Sequence, residues 1–169
     1  MNRRRFLGEE KPKPLYLFQS GVGFIANPKE GVTLGHWGGS VRADKEYIRL
    51  EPESSGEGTY TRDYLYVCMQ NGASINFSNA FRGYKTLFIE AYNEDDGWGG
   101  TSMMVGISAK KYPDIGTASD WIQRRAVSNR RDTIGFDIRG ITSNINAVGG
   151  VEYVGGEKAY GRIYNIWLE

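Results

Sequence analysis

One cysteine, one histidine, no long apolar run and almost no net charge: each scarcity in these 169 residues removes a class of function. Cys68 has no partner for an intrachain disulfide, so packing must hold the fold together, which suits maturation in a cytoplasm. With His36 the only histidine, a His/Cys zinc cage is out of reach, and a Ser-His-Asp or Cys-His site would rest on that residue alone. A strand-end histidine is the plainer reading. The formal charge of +1 withholds the basic excess used to hold nucleic acid or anionic lipid, so no nucleic acid partner is expected. No apolar stretch approaches the roughly 20 residues that cross a bilayer as a helix, so no membrane insertion is expected. The glycines form no phosphate loop: Gly21-Val22-Gly23 lacks the third glycine, and no Gly-Lys-Ser/Thr follows any glycine cluster.

The start, Arg3-Arg4-Arg5-Phe6-Leu7, opens like a twin-arginine export signal, which needs an apolar segment of roughly 7–15 residues next. Gly8-Glu9-Glu10-Lys11-Pro12-Lys13-Pro14 stands there instead. Residues 1–14 therefore read as a flexible, polar, Pro-stiffened arm ahead of a single domain over 15–169. A domain of that length buries about two thirds of its unfolded surface without metal or crosslinks.

What the chain has in abundance is glycine (23) and aromatic residues, with 11 tyrosines, 7 phenylalanines and 4 tryptophans. That is a β-rich composition, glycine serving tight turns and rings serving pleated faces. Alternation predicts half-buried strands at Tyr47–Glu51 with Ile48 and Leu50 inward, at Ser102–Ser108 with Met103, Val105 and Ile107 inward, and at Thr133–Arg139 with Ile134, Phe136 and Ile138 inward. Tyr64–Met69, Thr86–Tyr92 and Arg162–Leu168 are apolar on both faces and read as central strands, with Trp37 and Trp167 in the core. Trp121–Val127 reads as a strand that turns at Ser128-Asn129 into Asp132–Arg139. Turns are expected at Glu53–Gly58, Asn71-Gly72, Asn93–Gly100 and Val148–Gly156. Six to nine strands so punctuated make an all-β, antiparallel β-sandwich.

Two surfaces stand out as binding candidates. In Asn93–Gly100, Trp98 is flanked by glycines and by Asp95 and Asp96, so few apolar side chains are at hand to bury it. An exposed indole lies well against the C–H face of a sugar ring, while neighbouring carboxylates accept from hydroxyls. No cofactor is expected, although Asp95 and Asp96 with backbone carbonyls are open to calcium. Trp121, with Tyr112 before it and Arg124 and Arg125 after it, is the second surface. The arginines 124, 125, 130 and 131 are expected to be solvated or paired with Asp120 and Asp132. Glycoside hydrolysis needs only two carboxylates, with Glu90, Glu94, Asp95, Asp96 and Asp137 available, but no pattern sets two of them across a cleft.

Met1–Leu7, Leu15-Tyr16-Leu17-Phe18, Leu34-Gly35-His36-Trp37, Phe81–Glu90, Phe136–Ile141 and the closing Arg162–Glu169 together resemble a family of small structural proteins. These are minor tail-associated proteins of phages and prophages of Gram-positive bacteria, with a jelly-roll domain similar to galactose-binding or carbohydrate-binding modules. His36 and Arg139 depart from the family pattern at polar-face positions. The resemblance implies a jelly roll, a non-enzymatic role in a virion, assembly in the host cytoplasm, contacts with other virion proteins and a homo-oligomer. The resemblance hands over no binding residues; a cell-surface polysaccharide met through loop aromatics is the ligand expected from the residues themselves. The alternatives are a carbohydrate-active enzyme using paired carboxylates and a purely architectural spacer.

Overall fold

The computed structural model describes residues 13–24, 32–37, 40–51, 64–69, 83–94, 103–110, 121–127, 129–141, 147–149 and 160–169. Among the described residues there is no helix, and all strand pairing is antiparallel. In chain order the strands are β1 (Leu15–Gln19), β2 (Gly23–Phe24), β3 (Val32–Trp37), β4 (Ser40–Ala43), β5 (Ile48–Glu51) and β6 (Tyr64–Met69). They continue with β7 (Thr86–Glu94), β8 (Met104–Ser108), β9 (Ile122–Arg125), β10 (Arg131–Asp137), β11 (Ala147–Gly149) and β12 (Tyr160–Leu168). These twelve exceed the expected six to nine because short segments such as β2, β4 and β11 carry too few residues to show a period.

The larger sheet has seven strands, in the order β10-β7-β12-β1-β2, with β5 also on β12 and β4 on β5. The smaller is β3-β6-β11-β8-β9. β12 is the keel of the larger sheet. β7 pairs along its whole length on one side, while the other side is shared: β5 takes Gly161–Ile163 and β1 takes Asn165–Leu168. The reading of β6, β7 and β12 as central strands holds, since each has neighbours on both sides.

The inward residues of both sheets interlock into one core. Ile48 and Leu50, Leu87, Ile89 and Ala91, Ile134, Phe136 and Ile138, and Ile163, Ile166 and Leu168 face Met103, Val105 and Ile107 of the smaller sheet. Each full burial of an Ile, Leu, Phe or Met side chain contributes about 1.5–3 kcal/mol. The three alternating strands read from the sequence bury the very residues expected of them. Backbone pairing closes the sheet's end: Thr86 donates to the Glu169 carbonyl at 2.8 Å, and Glu169 donates back to Thr86 at 2.9 Å.

The turn at Asn129 is present, with φ at 57°, a conformation asparagine tolerates better than most residues. Its N–H donates to the Asn93 carbonyl at 2.8 Å, and Asp132 caps the turn by accepting from Val127 N–H at 3.1 Å. The strands it joins belong to different sheets, β9 pairing with β8 and β10 with β7, so the chain crosses the sandwich here. Gly21-Val22-Gly23 is a tight turn, Gly21 at φ 85° and Val22 N–H bonded to the Gln19 carbonyl at 3.0 Å. Two stretches read as turns open as strand, their remaining residues lying outside the described ones. β7 runs on through Asn93 and Glu94, and Ala147-Val148-Gly149 is a strand held between β6 and β8.

Candidate functional site

The outward face of the larger sheet is where the chemistry collects. Along β7 the residues alternate, with Leu87, Ile89, Ala91 and Asn93 buried and Thr86, Phe88, Glu90, Tyr92 and Glu94 turned out. Register then sets each beside a partner. Phe88 stands opposite Gly135 on one side and Trp167 on the other, and Trp167 stands opposite Tyr16.

Those three rings form a row across the strands. Phe88 and Trp167 have centroids 5.1 Å apart with planes 20° apart, and Trp167 and Tyr16 are 6.0 Å and 25° apart. At such spacing and angle the rings are offset-stacked, overlapping like tiles. The indole is also pinned at its polar end, Nε1 donating to Glu169 Oε1 at 3.0 Å. Gly135 explains how Phe88 lies down at the other end of the row. A Cβ at 135 would meet Phe88 Cε1 at 2.9 Å, so only a glycine lets the ring settle over the β10 backbone.

Next along the strands is a polar bar. Asn165 Oδ1 accepts from Ser20 N–H at 3.0 Å, and Asn165 Nδ2 donates to Glu90 Oε2. The other Glu90 oxygen lies 3.6 Å from the Arg131 guanidinium. The bar is thus a chain of donors and acceptors fixed in place before any ligand arrives.

Beyond it lies a second aromatic group laced with arginines. Arg131 stacks on the Tyr164 ring at 3.7 Å from its centroid. Arg162 lies over Tyr47 at 5.5 Å and Tyr92 at 5.7 Å, and donates to Glu94 at 2.9 Å. Tyr47 and Tyr164 meet edge to face at 5.8 Å. Burial works against the charge on Arg162, yet its hydrogen bond with Tyr164 and the nearby Glu94 carboxylate outweigh it, so its pKa lies above the ordinary value. Tyr164 is present on this face because β12 carries a bulge between Ile163 and Asn165. With Ile163 and Ile166 both buried, Tyr164 and Asn165 both turn outward.

At the far end of β10, Asp137 accepts from the Arg139 side chain at 2.9 and 2.5 Å and from its backbone N–H at 3.0 Å. The Arg139 hydrogen bonds lower the Asp137 pKa to about 2.

Of the site residues expected from sequence, Trp121 and Arg124 lie among the described residues. Trp98, Asp95, Asp96 and Tyr112 lie outside the described residues, as do residues 1–12 of the arm. Trp121, a candidate surface ring whose plainer reading is one aromatic of the core, is buried at 8% exposure. Arg124 is exposed on β9 with its guanidinium 5.8 Å from the Phe136 ring centroid, so it does not extend the aromatic row. Arg131, expected to be solvated or paired with an acid such as Asp132, is exposed and lies 3.6 Å from Glu90 on the adjacent strand. Trp167, expected in the core, is half-buried on the outer face. Among the described residues no group of His, Cys, Asp and Glu is arranged to hold a metal ion.

No family model and no curated protein matches this sequence. Solved structures do match in shape. Two family 29 carbohydrate binding modules, one a tyrosine-to-alanine and the other an arginine-to-alanine variant made to probe ligand recognition, align with TM-scores of 0.51 and 0.52. Their identity to this chain is 11% and 14%, over 92% and 94% of it and 90% and 92% of theirs. A third family 29 structure, complexed with mannohexaose, aligns at a TM-score of 0.50 with 13% identity over 92% of this chain and 89% of its own. At such identities the likeness is one of fold: this chain is an antiparallel β-sandwich of the same jelly-roll kind.

Proposed function

We propose that this chain is a non-enzymatic polysaccharide-binding module whose ligand lies across the outer face of the larger sheet. The observation that carries the reading is the row Tyr16–Trp167–Phe88, three offset rings on three neighbouring strands of an exterior face. Ring steps of 5.1 and 6.0 Å are comparable to one pyranose unit, so successive sugars can each set a C–H patch against π surface. The Ser20–Asn165–Glu90–Arg131 chain beside the row supplies donors and acceptors for hydroxyls. Structural neighbours named as carbohydrate binding modules, one of them holding mannohexaose, support the same reading.

The carboxylates of this face do not suit hydrolysis. A glycosidase sets two carboxyls about 5–9.5 Å apart around one bond. Glu90 and Glu94 are four residues apart on one strand, about 14 Å at ~3.4 Å per residue. Each is engaged by its own partner, Glu90 by Asn165 and Glu94 by Arg162.

Titration calorimetry with mannohexaose and cellohexaose tests the reading. Wild type should bind at least one, and Trp167→Ala should lose it while Trp98→Ala retains it. Loss in Trp98→Ala with retention in Trp167→Ala would move the ligand to the segment that follows Glu94. The sequence resemblance to phage structural proteins supports a virion as the carrier, assembled in the host cytoplasm. Mass spectrometry of purified particles would find the chain there, and its absence would remove that part.

A further inference from the structure

Four arginines share one cross-strand line on this face. Arg131 stands opposite Tyr92, Tyr92 opposite Arg162, Arg162 opposite Arg49, and Arg49 opposite Arg42, so the line runs over β10, β7, β12, β5 and β4. Alternation puts all of them on the outer side, because Ile48 and Leu50 beside Arg49, and Ile163 beside Arg162, are buried. Cross-strand neighbours of like charge repel, and here Arg162, Arg49 and Arg42 are neighbours in sequence across the sheet. Among the described residues, Glu94 lies on Arg162 at 2.9 Å and Glu90 near Arg131 at 3.6 Å. Arg42, exposed at the outer end, has no ion pair among the described residues. In a chain of net charge +1, this concentration is local and not a consequence of composition.

The arginines are also held ready. A guanidinium stacked on a ring uses its face, as Arg131 does on Tyr164 and Arg162 does over Tyr47 and Tyr92, and keeps N–H groups at its edge. Such a fork matches the paired oxygens of a carboxylate or a phosphate. We infer that the polysaccharide taken by this face is anionic, with Tyr16, Trp167 and Phe88 holding sugar rings and the Arg131–Arg162–Arg49–Arg42 line reading the acidic groups. The inference rests on the polysaccharide-binding reading above and adds the charge class of the ligand.

Affinity electrophoresis against three polysaccharides separates carboxylate from phosphate: polygalacturonate for carboxylate, a phosphomannan for phosphate, and neutral glucomannan. Wild type should bind one of the anionic polymers about tenfold more tightly than glucomannan. That preference should collapse between about 0.1 M and 1 M salt, as the screening length falls from ~10 to ~3 Å. Arg42→Gln, at an exposed position, and Arg42→Gln/Arg49→Gln should each weaken anionic binding, the double variant by about tenfold, and leave glucomannan unchanged. Whichever anionic polymer wins names the acidic group. Glucomannan bound as well as both anionic polymers, or anionic binding indifferent to salt and to both variants, would overturn the inference and leave the polysaccharide reading standing. Binding to none of the three would overturn both.

Discussion

Replacing Trp167 with alanine separates a ligand platform from a merely structural stack of rings. The indole is half-buried, touches Phe88 and Tyr16, and donates to Glu169. Two aromatic pairs contribute about 0.5–1.5 kcal/mol each, and an exposed hydrogen bond adds less than about 1 kcal/mol. Full removal of a core Trp or Phe costs about 3–5 kcal/mol, so a half-buried one should cost about 2 kcal/mol. For a chain of this size that lowers Tm by about 4–8 °C. If the ring also floors a sugar site, its loss should weaken ligand by about 2 kcal/mol, roughly 30-fold. The control is Gly106→Ala in the smaller sheet, where a Cβ would stand 2.6 Å from the Ile122 carbonyl and force β8 from β9. That substitution should cost about 1–3 kcal/mol and lower Tm comparably while leaving affinity within twofold. Calorimetry and thermal melts on both variants decide the matter. Equal Tm losses with unchanged affinity in Trp167→Ala would refute the platform.

Gly135→Val should displace Phe88, since even a Cβ would come within 2.9 Å of its ring; ligand affinity should fall several-fold, with a stability loss of about 1–3 kcal/mol in denaturant titration. Affinity unchanged to within twofold would show that the Phe88 end of the row carries no ligand. NMR titration should find the Asp137 carboxyl at about 2, and Arg139→Gln should return it toward the ordinary carboxylate value of about 3.9. Because the folded value is depressed, any stability from this pair is fully present above about pH 4 and lost as pH falls toward 2. An Asp137 pKa unchanged in the variant would mean that Arg139 is not its cause.

Much of the fold was legible because burial on one face leaves a period of two in β5, β8 and β10. The pattern reads β7 and β12 as central strands but assigns Trp167, an outward ring of β12, to the core. Hydropathy does not tell an aromatic that faces the interior from one that faces a ligand. A signal was present in β7: Phe88 and Tyr92 share parity with Glu90 and Glu94, and a face carrying two carboxylates is not the buried one. In β12 that signal was scrambled by the bulge, which breaks alternation between Ile163 and Asn165. The row itself could not be read locally, since Tyr16, Phe88 and Trp167 are brought together only by register between strands distant in sequence. Trp98, outside the described residues, is picked out for the opposite reason: its polar neighbours in sequence predict exposure, whereas the exposure of Trp167 depends on pairing.

The bulge in β12 is itself an argument for a working face. Without Tyr164, the sequence Ile163-Asn165-Ile166-Trp167-Leu168 would alternate inward and outward without interruption, and each core residue would keep its partner on β7. The core therefore does not need Tyr164. A bulge leaves ladder groups unpaired and bends its strand, so an extra residue that adds nothing to the interior calls for another reason to be there. Here it adds a ring to the outer face, under Arg131 and against Tyr47, at the junction of the polar bar with the arginine line. The bulge in β1 does the reverse, since Leu17 is the additional residue between Tyr16 and Phe18 and it is buried. Of the two irregularities flanking the contact between β1 and β12, one thickens the core and the other furnishes the surface. Packing accounts for Leu17, while Tyr164 adds nothing to the core and places a ring under Arg131 on the proposed binding face.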